Sequence, residues 1–150
     1  MRIAIASDHA AVALKATLVD WLRELGHEVL DLGPETDARV DYPDYGYKLA
    51  EAIADGRAER GVALCGSGIG ISIAVNRHPA ARCALVSDPY SAALSREHND
   101  ANVLAMGARL IGEDMAKACL MSFIVGEFGG GRHAGRVDKL SNPSFSKEPA

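Results

Sequence analysis

The sequence predicts an α/β fold: a single-domain three-layer sandwich around a five-stranded parallel, Rossmann-like sheet. Five short runs of Ile, Val, Leu and Ala alternate with segments whose apolar residues recur at spacings of three and four. Glycines and prolines punctuate the joins. The chain has 150 residues, 48% hydrophobic and 24% charged, the size and balance of one globular domain with its own core.

Arg2 to Ala6 is the first strand, ending at Ser7-Asp8, two good N-cap residues. From Ala10, the positions Leu14, Leu18, Trp21, Leu22 and Leu25 form one apolar face of a helix, which Gly26 stops. Glu28 to Leu32 is the second strand, closed by Gly33-Pro34, and a polar loop follows to Asp44. Pro43 suits the first turn of a helix whose face is Tyr45, Leu49, Ala52 and Ile53. Gly61 to Leu64 is the third strand; it runs into Cys65-Gly66-Ser67-Gly68-Ile69-Gly70, and Ile71 to Asn76 reads as helix. Arg82 to Val86 is the fourth strand, with Asp88 as N-cap and Pro89 at N1 of the helix after it. Ala101 to Met106 is the fifth strand, and Glu113 to Val125 is a helix striped by Ala116, Cys119, Leu120, Phe123 and Ile124. Gly129 to Gly131 form a hinge before a short basic segment. The domain is expected to span residues 1–140, with 141–150 a flexible tail.

Several function classes fall away. No apolar run approaches the roughly 18 residues that span a bilayer, and the short apolar start is followed at once by Asp8, so no membrane association and a cytoplasmic location are expected. A net charge of −4 argues against nucleic acid as a partner. Three cysteines without C-x-x-C spacing give neither a complete disulfide framework nor a zinc signature, so no metal is expected.

In a doubly wound sheet, ligands bind at the carboxyl ends of the strands. The alternating Gly66, Gly68 and Gly70 after the third strand let backbone N–H groups turn inward, to hold a phosphate or to stabilise an oxyanion. A tight strand-to-helix turn needing positive φ is the competing structural role. The spacing is neither G-x-G-x-x-G nor a G-K-[ST] loop, and no other cofactor motif is present, so no cofactor is expected. Cys65 faces those amides and could serve as nucleophile or general base; a cysteine-phosphatase loop is excluded by Ile71. Asp8 is an acid/base candidate or simply an N-cap, with His9 beside it, and His98-Asn99 ends the helix that Asp88 begins. Arg132 and Arg136, four apart, would share one face of a helix and suit a phosphate; Arg109 could join them, from the same molecule or from a neighbouring subunit. The set fits proton abstraction next to a carbonyl on a phosphorylated small molecule.

These residues, in their order and spacing, resemble type B ribose-5-phosphate isomerase, within the ribose/galactose-6-phosphate isomerase family. The resemblance runs over roughly Met1 to Leu140 and rests on Ser7-Asp8-His9, Asp41-Tyr42-Pro43, Cys65 to Ser72, Asp88 to Ala92, Arg96 to Asn102 and Gly131-Arg132-His133. It implies interconversion of ribose 5-phosphate and ribulose 5-phosphate through a cis-enediolate, without metal or cofactor. By position, Cys65 is the implied base, and His98 helps open the furanose ring, assisted by Asp8. Ser67 and the amides from Gly66 through Gly68 and Ile69 to Gly70 hold the oxyanion, Asn99 contacts the sugar, and Tyr42 lines the pocket. His9, Arg109, Arg132 and Arg136 bind the phosphate. A homodimer or tetramer with a shared active site is implied, with the C-terminal extension packing on the partner. Six-carbon phosphates, and a non-catalytic phosphosugar-binding role, are the alternatives. Ser67 stands where many relatives carry Thr, and Ala74 stands where some relatives carry a glutamate base.

Overall fold

A computed structural model of the chain describes residues 1–146. Its sheet is built of β1 (Arg2–Ser7), β2 (Glu28–Asp31), β3 (Arg60–Cys65), β4 (Cys83–Leu85) and β5 (Val103–Gly107). The strands lie in the order β2-β1-β3-β5-β4, every neighbouring pair parallel. The helices are α1 (Val12–Glu24), α2 (Tyr42–Ala54), α3 (Ile69–Val75), α4 (Pro89–Asn99), α5 (Glu113–Val125) and α6 (Arg132–Ser141). None among the described residues is long and apolar enough to cross a membrane.

Strand alternation sorts the core into two unequal halves. Ile3, Ile5, Val62, Leu64, Leu104 and Met106 point to one face, where α1, α4 and α5 cover them with Leu18, Ala92 and Phe123. Ala4, Ala6, Ala63 and Ala105 point to the other, beneath Leu49 of α2 and Ile71 of α3. Small residues on that face let the two covering helices approach the sheet and each other: a methyl built on Gly46 of α2 would lie 2.8 Å from the Cβ of Ala74. Cys65 falls on this small-residue face, at the carboxyl end of its strand.

The architecture is the expected one, with shifts at element ends. A single 3-10 turn, His9–Ala11, precedes α1, with Asp8 as its cap: the Ala10 N–H donates to Asp8 Oδ1 at 2.9 Å. Helix α3 begins at Ile69 rather than Ile71, because Gly68 takes the left-handed conformation (φ 76°) and turns the chain into the helix at once. Strand β5 begins at Val103, since Asn102 is drawn aside to accept from the Arg82 N–H and donate to the Ala80 carbonyl. The basic segment is the helix α6, and Ser141, expected to open the tail, is its last residue. Residues 142–146 are irregular, and 147–150 of the expected tail lie outside the described residues.

Candidate active site

The chain reverses direction across the sheet between β1 and β3, so their carboxyl ends open a crevice. A cleft of about 520 Å³ lies there, lined by Asp8, Tyr42, the Cys65–Gly70 loop, Arg109 and the apolar side chains of Ile73 and Leu110. Asp8 is fixed at its rim because the Leu64 carbonyl accepts its N–H. Cys65 is only 4% exposed. The Gly68 N–H donates to Cys65 Sγ at 3.1 Å. This amide, expected for a ligand oxyanion, is therefore directed at the thiol. The Ile69 N–H donates to Ser67 Oγ at 3.2 Å.

The loop is pressed onto the end of β5. The Ala108 and Arg109 N–H groups donate to the carbonyls of Cys65 and Gly66 at 2.9 and 3.0 Å. A methyl on Gly107 would sit 2.6 Å from the Ser67 carbonyl carbon, so two backbones cross in contact and no side chain fits between them. Gly107 lies in the Met106–Arg109 segment that the carboxyl-end rule marks in the sequence, but nothing there shows its close approach to Ser67. Arg109 is thereby delivered over the loop: a methyl on Gly66 would meet its guanidinium at 3.2 Å. On the opposite wall the Tyr42 ring lies over Gly70, 2.5 Å from where a methyl would stand.

His9 stands behind Asp8, and its Nδ1 accepts the Val40 N–H at 3.2 Å, pinning the loop that leads to Tyr42. The other end of that loop is tied by Lys15, which is almost fully buried and donates to both oxygens of Asp31 at 2.7 and 2.8 Å. Asp31 also accepts the Gly33 N–H, and the Gly33 carbonyl accepts the N–H of Ser7.

The remaining expected residues stand elsewhere. Helix α4 leaves the carboxyl edge at Asp88 and returns over its 11 residues, roughly 16 Å, to the amino edge. His98 and Asn99 are at that far end, next to the start of β5. Helix α6 places Arg132 and Arg136 one turn apart on the same side of the molecule as His98, through a stack of the His98 and His133 rings with centroids 4.4 Å apart and planes 16° apart. One chain thus gathers Asp8, Tyr42, Cys65, Ser67 and Arg109 at one edge. It gathers His98, Arg132 and His133 at the other, and Asp8 is not beside His98. His98 and His133 both stand in motifs singled out in the sequence, but their stacking across 35 positions was not visible there.

The His133 imidazole is held below the ordinary histidine range, first by shielding from water and then by His98, Arg132 and Arg136, against a smaller opposing pull from Glu97. An unfolded chain therefore takes up this proton at higher pH than the folded one, so the stack contributes fully above the ordinary range near pH 6.5 and is lost as pH falls. The protection of the α6 amides, taken as the ratio of intrinsic to observed exchange rate, is expected to fall on acidification through that range, and His133→Phe, which keeps a flat ring, is expected to flatten the dependence.

Comparisons with known proteins identify the family. The family model described as Ribose/Galactose Isomerase matches residues 3–140. The chain is 43% identical to ribose-5-phosphate isomerase B of Escherichia coli over 140 residues, covering 93% of this chain and 94% of that one. It is also 43% identical to D-erythrulose-4-phosphate isomerase of Pectobacterium atrosepticum over 141 residues, 93% of each. Among solved structures, ribose-5-phosphate isomerase B of Clostridium thermocellum superposes with a TM-score of 0.93 at 48% identity, covering 94% of this chain and 95% of that one. The type B enzyme of Trypanosoma brucei gives 0.92 at 39% identity, covering 95% and 98%. The chain belongs to the ribose/galactose isomerase family and is an isomerase.

Proposed function

We propose that the enzyme interconverts ribose 5-phosphate and ribulose 5-phosphate, with Cys65 as the base. The observation that carries this is the Cys65 sulfur on the cleft floor, accepting the Gly68 N–H, with Asp8 and Ser67 around it. Starting from the aldose, the thiolate removes the proton on C2 of the opened sugar, and the electron pair moves onto the C1 carbonyl oxygen to form a cis-enediolate. Return of the proton at C1, with transfer of the O2 proton to O1, gives the ketose. Ser67 and the loop amides not committed to the thiol face the developing oxyanion. His98 opens the furanose ring, Asn99 contacts the sugar, and Arg109, Arg132, Arg136 and His9 hold the phosphate.

Residues at opposite edges of one chain meet across a two-fold axis, where the amino edge of one copy faces the cleft of another. Ile69 and Leu110, 51% and 66% exposed at the cleft mouth, form an apolar rim suited to that contact. The site is thus proposed to be completed by a second copy, in a dimer or a tetramer of such dimers.

A four-carbon phosphate is the second reading, favoured by equal identity to the D-erythrulose-4-phosphate isomerase; six-carbon phosphates remain the third. The test is initial rates on four-, five- and six-carbon aldose or ketose phosphates with EDTA present. The highest kcat/KM is expected for ribose 5-phosphate. A larger value for another chain length replaces the substrate, and no turnover of any of them overturns the reading in favour of a phosphosugar-binding role.

A further inference from the structure

The segment Arg96 to Asn102 contributes His98 and Asn99 to the proposed chemistry, but its two charged flanks have no part in it. Asp100 is the one non-glycine residue with positive φ among the described residues, at φ 45° and ψ 42°. Asp adopts this conformation more readily than most side chains, and here it caps α4: the Ala101 N–H donates to the Ser95 carbonyl at 2.9 Å. The side chain is held as well. The Asp100 carboxylate lies between two guanidinium groups, 2.9 Å from Arg96 and 3.3 Å from Arg82, and the Arg82 Nε–H donates to the Asp100 carbonyl at 2.9 Å.

Both arginines are themselves anchored. Arg96 is only 3% exposed; it donates to the Ala101 carbonyl at the start of β5 and to the Gly126 carbonyl past the end of α5. A methyl on Gly126 would press to 2.8 Å from the Arg96 Cβ, so α5 ends directly against this side chain. The Arg82 N–H donates to the Asn102 side chain, and Arg82 Nη1 reaches Ser141 Oγ at the end of α6. The last turn of α4 is therefore fastened to the start of β5 and the end of α5 by Arg96, and through the Asp100 carboxylate to Arg82 beside β4 and the end of α6, and His98 is in that turn.

We propose that Asp100, clamped by Arg82 and Arg96, is the positioning residue that sets His98 for the reaction, an inference that rests on the proposed role of His98. Asp100 touches no substrate; it acts by fixing where α4 ends and hence where the His98 ring meets that of His133. The test is a double-mutant cycle on kcat. Asp100→Gly keeps the left-handed backbone and removes both ion pairs, and it is expected to lower kcat about 10- to 100-fold, the scale of a displacement near 1 Å at the chemistry. Inhibition by inorganic phosphate is expected to change by less than roughly threefold. Asp100→Asn, which keeps the conformation and one acceptor but removes the charge, is expected to lose less, about 3- to 10-fold, still enough to carry the same cycle if the glycine variant does not fold. In a His98→Ala background either substitution is expected to cost less than about twofold more, because residues acting through one another are not additive. Losses that add in full, or an Asp100→Gly enzyme with unchanged kcat, overturn the positioning role. A His98→Ala enzyme that keeps full activity instead removes the proposed role of His98, and the inference falls with it.

Discussion

Cys65→Ala is expected to lower kcat for ribose 5-phosphate by about 10³-fold, within the range that a positioned general base contributes. Inorganic phosphate should bind within roughly a factor of three of the parent enzyme, because its proposed ligands are the arginines and His9 rather than the thiol. The substitution removes one buried atom and costs about 1 kcal/mol in stability, so the fold survives. The decisive readout is exchange of deuterium from C2 of the substrate, which reports proton removal independently of ring opening. Exchange at the parent rate in the variant would mean that another group is the base. Alkylation offers an orthogonal check, because the two other thiols are disfavoured as competitors. Burial pushes the Cys83 thiol up to about 12, and burial followed by the nearby Asp88 raises that of Cys119. Activity should fall in step with alkylation of Cys65, whose side chain borders the cleft, and not with alkylation of the other two.

Much of this site was legible before the fold was known, for a definite reason. Strand ends and the loops after them are written locally: the apolar run of β3, the cysteine and the alternating glycines are contiguous, and parallel topology assigns such a loop to the ligand side. The same topology also implies that a helix starting beside the cleft at Asp88 ends far from it, so the separation of His98 from Cys65 follows from the order of elements. What could not be read are contacts made across the chain. Gly107 is needed because Ser67 crosses over it, yet in the sequence it is one glycine at the end of a run. Lys15 looks like a surface position of an amphipathic helix, but it is buried against Asp31 of the neighbouring strand. Asp100 reads as a polar residue between two elements, and the grip of arginines from two different segments on its carboxylate does not show there. The helix α6 was legible only as charge: none of its residues is buried, so no apolar face packed within the chain announces it.

A mixing experiment on two inactive variants carries the largest expected gain. Cys65→Ala disables the cleft edge of the molecule, whereas the double substitution Arg132→Ala and Arg136→Ala disables the helix at the opposite edge. Losing two charge-assisted contacts to phosphate should lower kcat/KM by at least about 10²-fold. All three residues can be replaced with little disturbance to the core, since both arginines are exposed and Cys65 loses a single atom. If each site takes its cleft from one copy and its α6 arginines from another, a mixed dimer has one site carrying both lesions and one carrying neither. Unfolding and refolding an equimolar mixture should make half of the dimers mixed, with one intact site in two, so activity should rise from near zero to about a quarter of the parent value. A tetramer built from such dimers gives the same fraction. Sites completed within one chain would recover nothing, because every chain carries a lesion. Recovery therefore separates a site shared between copies from one in which α6 folds back over its own cleft, and it does so without knowing which sugar phosphate the enzyme prefers.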